Sequence, residues 1–162
     1  MSAAVLATEE NILPSRHEQA GDIIASAVRW SAASGAIPLP IVDSVALAVV
    51  QTRMIMDLSE LYGERASKET ARGLVSVLLG TLLPSVGAKA VISSTLKMTP
   101  IIGVVGGMAT MALLGSAASY AIGKVFVRHF ERGGTLTSFD AGSIKDELKE
   151  EFAKGKAKAA QI

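Results

Sequence analysis

The sequence predicts an all-α protein with five to six helices around a long glycine-rich apolar helix or helical hairpin. Three observations carry that expectation. Met98–Gly123, MTPIIGVVGGMATMALLGSAASYAIG, runs without a charged side chain between Lys97 and Lys124. As a helix it is about 39 Å long, and a bilayer core asks for about 20 apolar residues. Within it Gly103, Gly107, Met111, Gly115, Ser119 and Gly123 recur at every fourth position, one narrow ridge on which another helix can approach closely, in lipid or in a protein core. Finally, no stretch alternates with a period of two for long enough to argue for a sheet.

Composition agrees. The chain has 162 residues, enough for one domain with a real core, with 49% hydrophobic and only 19% charged residues. Four Phe, two Tyr and one Trp are few, so closely packed small side chains take the place of a thick aromatic core. A formal charge of +1 offers no long-range attraction to nucleic acid, and no nucleic-acid partner is expected. The absence of cysteine excludes disulfides, thiol catalysis and cysteine-based metal sites. MSAAVLATEENILPSRHE has neither a basic start nor an apolar run of signal-peptide length, so any membrane is expected to be met from the cytoplasm. The expected location is the cytoplasm or the cytoplasmic face of the inner membrane.

Taken in order, residues 1–16 read as a flexible lead-in, 17–134 as a helical hydrophobic domain, and 135–162 as a loop with a weakly amphipathic C-terminal helix. The first helix is expected from His17 to Ser34, where Gly35 and Pro38 stop it. Asp43 is a candidate cap for a second helix ending near Tyr62, with Gly63 as its stop. Arg53, Asp57, Glu60 and Glu64 form a polar stripe on it, a solvated face or a face for a partner. Ser67 suits the cap of a third helix. That helix soon becomes the uncharged run 73–88, which Pro84 and Gly87 are expected to break or kink. A short helical piece should end at Lys97, and Pro100 suits the first turn of the long apolar helix. That helix continues as KVFVRHFER until Gly133 and Gly134 close it. Ser143 and Asp146 have the spacing of a capping-box variant before a last helix over 144–158, whose apolar stripe is Ile144, Leu148 and Phe152. Its lysine-rich tail is expected to fray.

The search for chemistry finds little. His17 and His129 lack metal-ligand companions at motif spacing, and no phosphate-binding loop, dinucleotide fingerprint or nucleophile elbow is present. No catalytic residue, metal or cofactor is expected, and the protein is read as a non-enzyme. Lys124, Arg128 and Arg132 follow the long apolar helix and are candidates for lipid headgroup contact if the membrane placement holds. Gly103, Gly107, Gly115, Ser119 and Gly123 are the candidate helix-packing ridge.

Whether that helix crosses a bilayer or is covered by protein stays open at this level. Length, lack of charge and the ridge favour lipid. The missing aromatic belt and the lysines at both ends favour a soluble, oligomeric bundle that buries it in water.

Three tracts together carry a resemblance: AVRWSAASGAIPLPIVD at 27–43, MIMDLSELYGERASKETARGLVSVLLG at 54–80 and PIIGVVGGMATMALLGSAASYAIGKVFVRHFERGGTL at 100–136. In this order they resemble the YcjF-like family of uncharacterised helical domains. The resemblance implies a helical protein without transferable catalytic residues, found with small GTPases of the Era-like and ribosome-binding kind, some members being membrane proteins. The resulting expectation is a bacterial membrane-associated or assembly protein that packs through its small-residue ridge, with a small GTPase as the implied partner. The alternative is a soluble homo-oligomeric scaffold burying the same stretch between subunits. A bundle binding lipid or a small hydrophobe is a further one.

Overall fold

A computed structural model describes residues 14–34, 40–92 and 100–160. Among them are five helices and no strand: α1 (Arg16–Ser34), α2 (Pro40–Leu61), α3 (Lys68–Ile92), α4 (Pro100–Glu131) and α5 (Lys145–Ala159). The all-α expectation therefore holds.

Local chemistry sets most of the helix ends. Before α1, Ser15 accepts the Glu18 amide at 3.2 Å, and Glu18 Oε2 accepts the Ser15 amide at 2.7 Å, a reciprocal capping box. The bonds from Ser15 hold the Glu18 carboxyl below the usual carboxylate range. Ser67 caps α3 as expected, its hydroxyl accepting the Thr70 amide at 3.1 Å. Helices α2 and α4 stop alike. Gly63 and Gly133 adopt φ of 79° and 78°, and the Glu64 and Gly134 amides reach back to the carbonyls of Ser59 and His129. These are Schellman caps, and the left-handed conformation explains glycine at both positions.

Three local expectations are corrected. Helix α2 already begins at Pro40, so Asp43 falls inside its first turn and not at its cap; the Asp43 side chain lies outside the described residues. Helix α3 continues through Pro84 to Ile92. The piece proposed to end at Lys97 falls partly on 93–99, outside the described residues. Ser143 does not make a capping box. Ile144 occupies the N-cap of α5 without a side-chain bond, and the Ser143 hydroxyl donates to the Asp140 carbonyl at 3.0 Å.

Helix α4 is the axis, touching every other helix. Helix α1 runs antiparallel to it: Ser31 Oγ lies 2.7 Å from Ser119 Oγ, and His17 meets Glu131. Helix α2 runs parallel to it, with Leu47 at Gly115, Met54 at Gly123 and Tyr62 against Phe130. Helix α3 turns back along α2 after a short loop, and α5 returns along α4, Glu147 and Glu151 facing Arg128 while Gly155 faces Ala117.

The core clusters along one half of α4. Ile24, Met54, Leu58, Leu78, Ile122 and Phe126 are buried together, and Leu148 and Phe152 of α5 join the same cluster. The loop after α4 contributes as well. Phe139 stacks on Phe126 at 4.3 Å between ring centres, and Leu136 is buried beside it.

One buried group stands out. Gln51 on α2 is fully buried, and neither its amide nitrogen nor its amide oxygen has a hydrogen-bond partner. An orphaned buried polar group costs about 1–3 kcal/mol, whereas an apolar side chain of similar shape costs nothing of the kind. Gln51→Met, which keeps an unbranched side chain of similar length, is expected to stabilise the fold by about 1 kcal/mol. A chemical denaturation midpoint that falls in the variant would show the amide to be satisfied instead.

Candidate membrane interface

Charge is unevenly placed along the bundle. At the pole where α1 begins and α2 and α4 end, His17 Nδ1 lies 2.8 Å from Glu131 Oε1, to which the Tyr62 hydroxyl donates at 3.2 Å. The Arg16 guanidinium sits 5.6 Å from the centre of the Tyr62 ring. The bond from His17 holds the Glu131 carboxyl below the usual range, against an opposing push from burial and with help from Tyr62. Burial, and then the Glu131 charge, raise the Tyr62 phenol above its ordinary value. Three helix ends are tied together by this clasp.

Beside it, Arg128 binds two carboxylates of α5, Nη1 at 2.5 Å from Glu147 Oε1 and Nη2 at 2.6 Å from Glu151 Oε1. Burial pushes the Glu151 carboxyl up, but its bonds to Lys154 and Arg128 outweigh that and hold it below the usual range. Arg128 is correspondingly raised by Glu151 and then Glu147. His129 Nε2 lies 2.8 Å from the Thr135 carbonyl; a carbonyl only accepts, so this nitrogen carries the proton and pins the loop. Both histidines thus have structural partners. Among the described residues no group of three His, Cys, Asp or Glu is placed to hold a metal ion.

Away from this pole the sequence of the second half of α3 and the first half of α4 is apolar. Helices α1 and α5 finish level with the middle of α4, whereas α2 and α4 begin, and α3 finishes, in that direction. From Gly73 to Gly123 the only charged residues are Lys89 and Lys97. Large hydrophobic side chains are exposed on this half of the molecule: Trp30 at 65%, Val45, Val49 at 60%, and Met111. Trp30 and Val49 line a groove between α1 and α2 together with Arg53, Asp57 and Asp22.

The proposed ridge divides along α4. Ser119 is fully buried and bonded to Ser31. A Cβ on Gly115 would meet Leu47 and the Ser31 carbonyl at 3.4 Å, and one on Gly123 would lie 2.6 Å from Ile24 Cγ1. These three therefore face α1 and α2 at close range. Further toward the start of α4 the core opens: Met111 is exposed, as are Ala109 and Thr110. The surroundings of Gly103 and Gly107 lie outside the described residues. One described stretch, Ala109–Glu131, is long and apolar enough to cross a membrane, but it is mostly buried inside the protein.

The other candidate residues are scattered. Lys124 stands on α4 beside the core, Arg128 is engaged by α5, and Arg132 is exposed next to Gly133 at the polar pole. On α2, Arg53, Asp57 and Glu60 are exposed; Glu64, expected on the same helix, lies past its Gly63 stop and is half-buried. Arg53 Nε lies 3.8 Å from Asp57 Oδ2, a solvent-screened pair of little energetic weight.

Three contributors went unrecognised in the sequence. The capping box Ser15–Glu18 was legible in its spacing. Gly155, whose added Cβ would lie 2.9 Å from the Ala117 carbonyl, sits in a segment expected to fray. The Glu147–Arg128–Glu151 cluster joins residues far apart in the chain and had no local signal.

A family described as a domain of unknown function (DUF697) matches residues 3–157. A relative, Magnetosome membrane protein 22 of Magnetospirillum gryphiswaldense, is 35% identical over 143 residues, which cover 88% of this chain and 73% of that protein. No solved structure matches. Since the family match covers residues 3–157 of 162, the chain belongs to the DUF697 family.

Proposed function

We propose that the protein is a non-enzymatic membrane-associated helical bundle whose apolar end enters a bilayer while its polar pole stays in water. The observation that carries this reading is the separation of charge along the bundle. The clasp and the Arg128 cluster occupy one end, and the other draws on a stretch, 73–123, with two charges in all. A surface helix of a water-soluble bundle shows a polar face throughout, whereas the second half of α3 and the first half of α4 have none in sequence. The magnetosome membrane relative supports the same placement.

Close packing through the α4 ridge holds the bundle together in this reading. The polar face of Arg53, Asp57, Glu60 and Glu64 is left for a partner, and the YcjF-like resemblance makes a small GTPase the class to test. Exposed Val45, Val49 and Met111 also suit the second reading, a homo-oligomer that covers the same surface with another copy.

Fractionation separates the two. The chain is expected in the membrane pellet, resistant to high salt and released by detergent. Recovery of a defined oligomer from the detergent-free soluble fraction would overturn membrane association and favour the scaffold.

A further inference from the structure

Resting on the membrane reading, we infer that a collar of basic residues with Trp30 among them marks the level at which the bundle passes from water into an anionic bilayer. The collar appears when each helix is followed away from its apolar end. Going back from Ser34, the first charge on α1 is Arg29. On α2, after Asp43 in the first turn, it is Arg53. Going back along α3 from Ala88, with Lys89 nearer the end, it is Arg72. On α4 it is Lys124, and going back from Ala159 on α5 it is Lys158. Asp43 apart, every charge met on the way to these positions is a cation.

Packing brings most of them to similar heights. Ser31 at Ser119 sets Arg29 near the middle of α4, and Met54 at Gly123 sets Arg53 one turn away. Gly155 at Ala117 and Lys158 Nζ at 4.9 Å from the Tyr120 ring centre set the end of α5 at the same height. Lys124 follows directly on Gly123. The acidic groups Asp22, Asp57, Glu60, Glu131 and Glu147 lie on the polar side of this level, and Glu150 and Glu151, at about the height of Lys124, are paired with Lys154 and Arg128. The Arg53–Asp57 pair bridges it, at 3.8 Å and exposed.

Long basic side chains extend to phosphate groups while their stems stay in apolar surroundings, and a tryptophan places its ring at the headgroup level. Trp30 is the chain's only tryptophan, 65% exposed and adjacent to Arg29. A purely structural aromatic side chain of that size is ordinarily far more covered. Charge complementarity selects the occupant, a bilayer surface rich in anionic phospholipid.

The single tryptophan makes the test direct. The full chain is combined with vesicles of phosphatidylcholine, or of phosphatidylcholine with phosphatidylglycerol, by detergent dilution and then floated on a density gradient. We expect preferential flotation with the anionic vesicles and a blue shift of the Trp30 emission. Lipids brominated near the glycerol should quench it more than lipids brominated near the chain ends. The double variant Arg29→Gln/Lys158→Gln should lose about 25-fold in partition into anionic vesicles, at about 5-fold per basic residue, with an unchanged melting temperature as the folding control.

If the chain floats but Trp30 remains water-exposed, is quenched best from the chain ends, or the double variant partitions like the parent, the collar is wrong and membrane association survives. A blue shift that grows with protein concentration in the absence of lipid means that a second copy covers Trp30, which also overturns the inference. A chain that floats with neither vesicle removes the membrane reading itself.

Discussion

Gly123→Leu should destabilise the bundle by about 3 kcal/mol, since inserting methylenes into a packed core typically costs about 1–3 kcal/mol and occasionally more. At this position even the first added carbon would lie 2.6 Å from Ile24 Cγ1 and 3.2 Å from Met54 Sδ. The remaining leucine carbons would have to enter the space between α1, α2 and α4. For a domain of this size the loss corresponds to a melting temperature lower by roughly 6–12 °C. The proper comparison is Gly80→Ala on α3, where an added Cβ meets nothing within 4 Å. There the gain in helix propensity stands alone, and stability should rise by about 0.5–1 kcal/mol. Thermal melts of the two variants decide the matter: a tolerated leucine at 123 would mean that the small-residue ridge is not a close contact.

The second large effect is expected at Arg128. Removing its side chain in Arg128→Ala leaves Glu151, 2% exposed, with Lys154 as its remaining cation at 3.0 Å. A fully buried pair broken in this way costs about 3–5 kcal/mol. Because the Arg128 side chain is 39% exposed and partly screened, about 2 kcal/mol is expected.

The pH dependence gives this prediction its signature. The Glu151 carboxyl titrates below its unfolded value, so its contribution is fully present above the ordinary carboxylate pKa near 4.5 and is lost as pH falls through the lower folded value. The stability gap between the parent and Arg128→Ala should therefore be level from pH 8 to about pH 5 and close progressively below about pH 4.5. Glu131, held down by His17, adds acid sensitivity of the same sign to both proteins. Urea midpoints measured across this range check it. A gap that persists in acid would mean that the packing of the arginine stem, and not its charge, carries the effect.

These variants also show where sequence reasoning reaches its limit. The spacing of Gly115, Ser119 and Gly123 already implied a face for close helix contact, because the period of a helix follows from backbone geometry alone. It did not say which helix occupies that face. The answer, α1 with help from α2, depends on Ser31 and Ile24 arriving at the right height from nearly a hundred residues earlier in the chain.

Two serines with capping-box spacing teach the same lesson locally. Ser15–Glu18 and Ser143–Asp146 share the spacing of the motif, yet only the first forms it. In the second, the loop packed under Phe139 and turned at Asp140 directs the Ser143 hydroxyl to the Asp140 carbonyl. A tertiary demand overrode a local preference worth only about 1 kcal/mol. Pro84 fits this view as well, since a helix held by its neighbours continues past a residue that disfavours it in isolation.

By itself, then, the sequence determined the helical class, the Schellman stops at Gly63 and Gly133, the start of α4 at Pro100 and the uncharged character of 73–123 apart from two lysines. Each of these follows from backbone conformation, or from a hydrophobic pattern that repeats over a few residues. Only the tertiary structure decided that the second half of the long apolar helix is a protein core while Met111 and its neighbours are uncovered. It alone brought Arg128 to Glu151, and Arg29 and Lys158 to the middle of α4. Those arrangements depend on how far each helix slides along its neighbour, a quantity set by the sum of many long-range contacts and written in no single stretch of sequence.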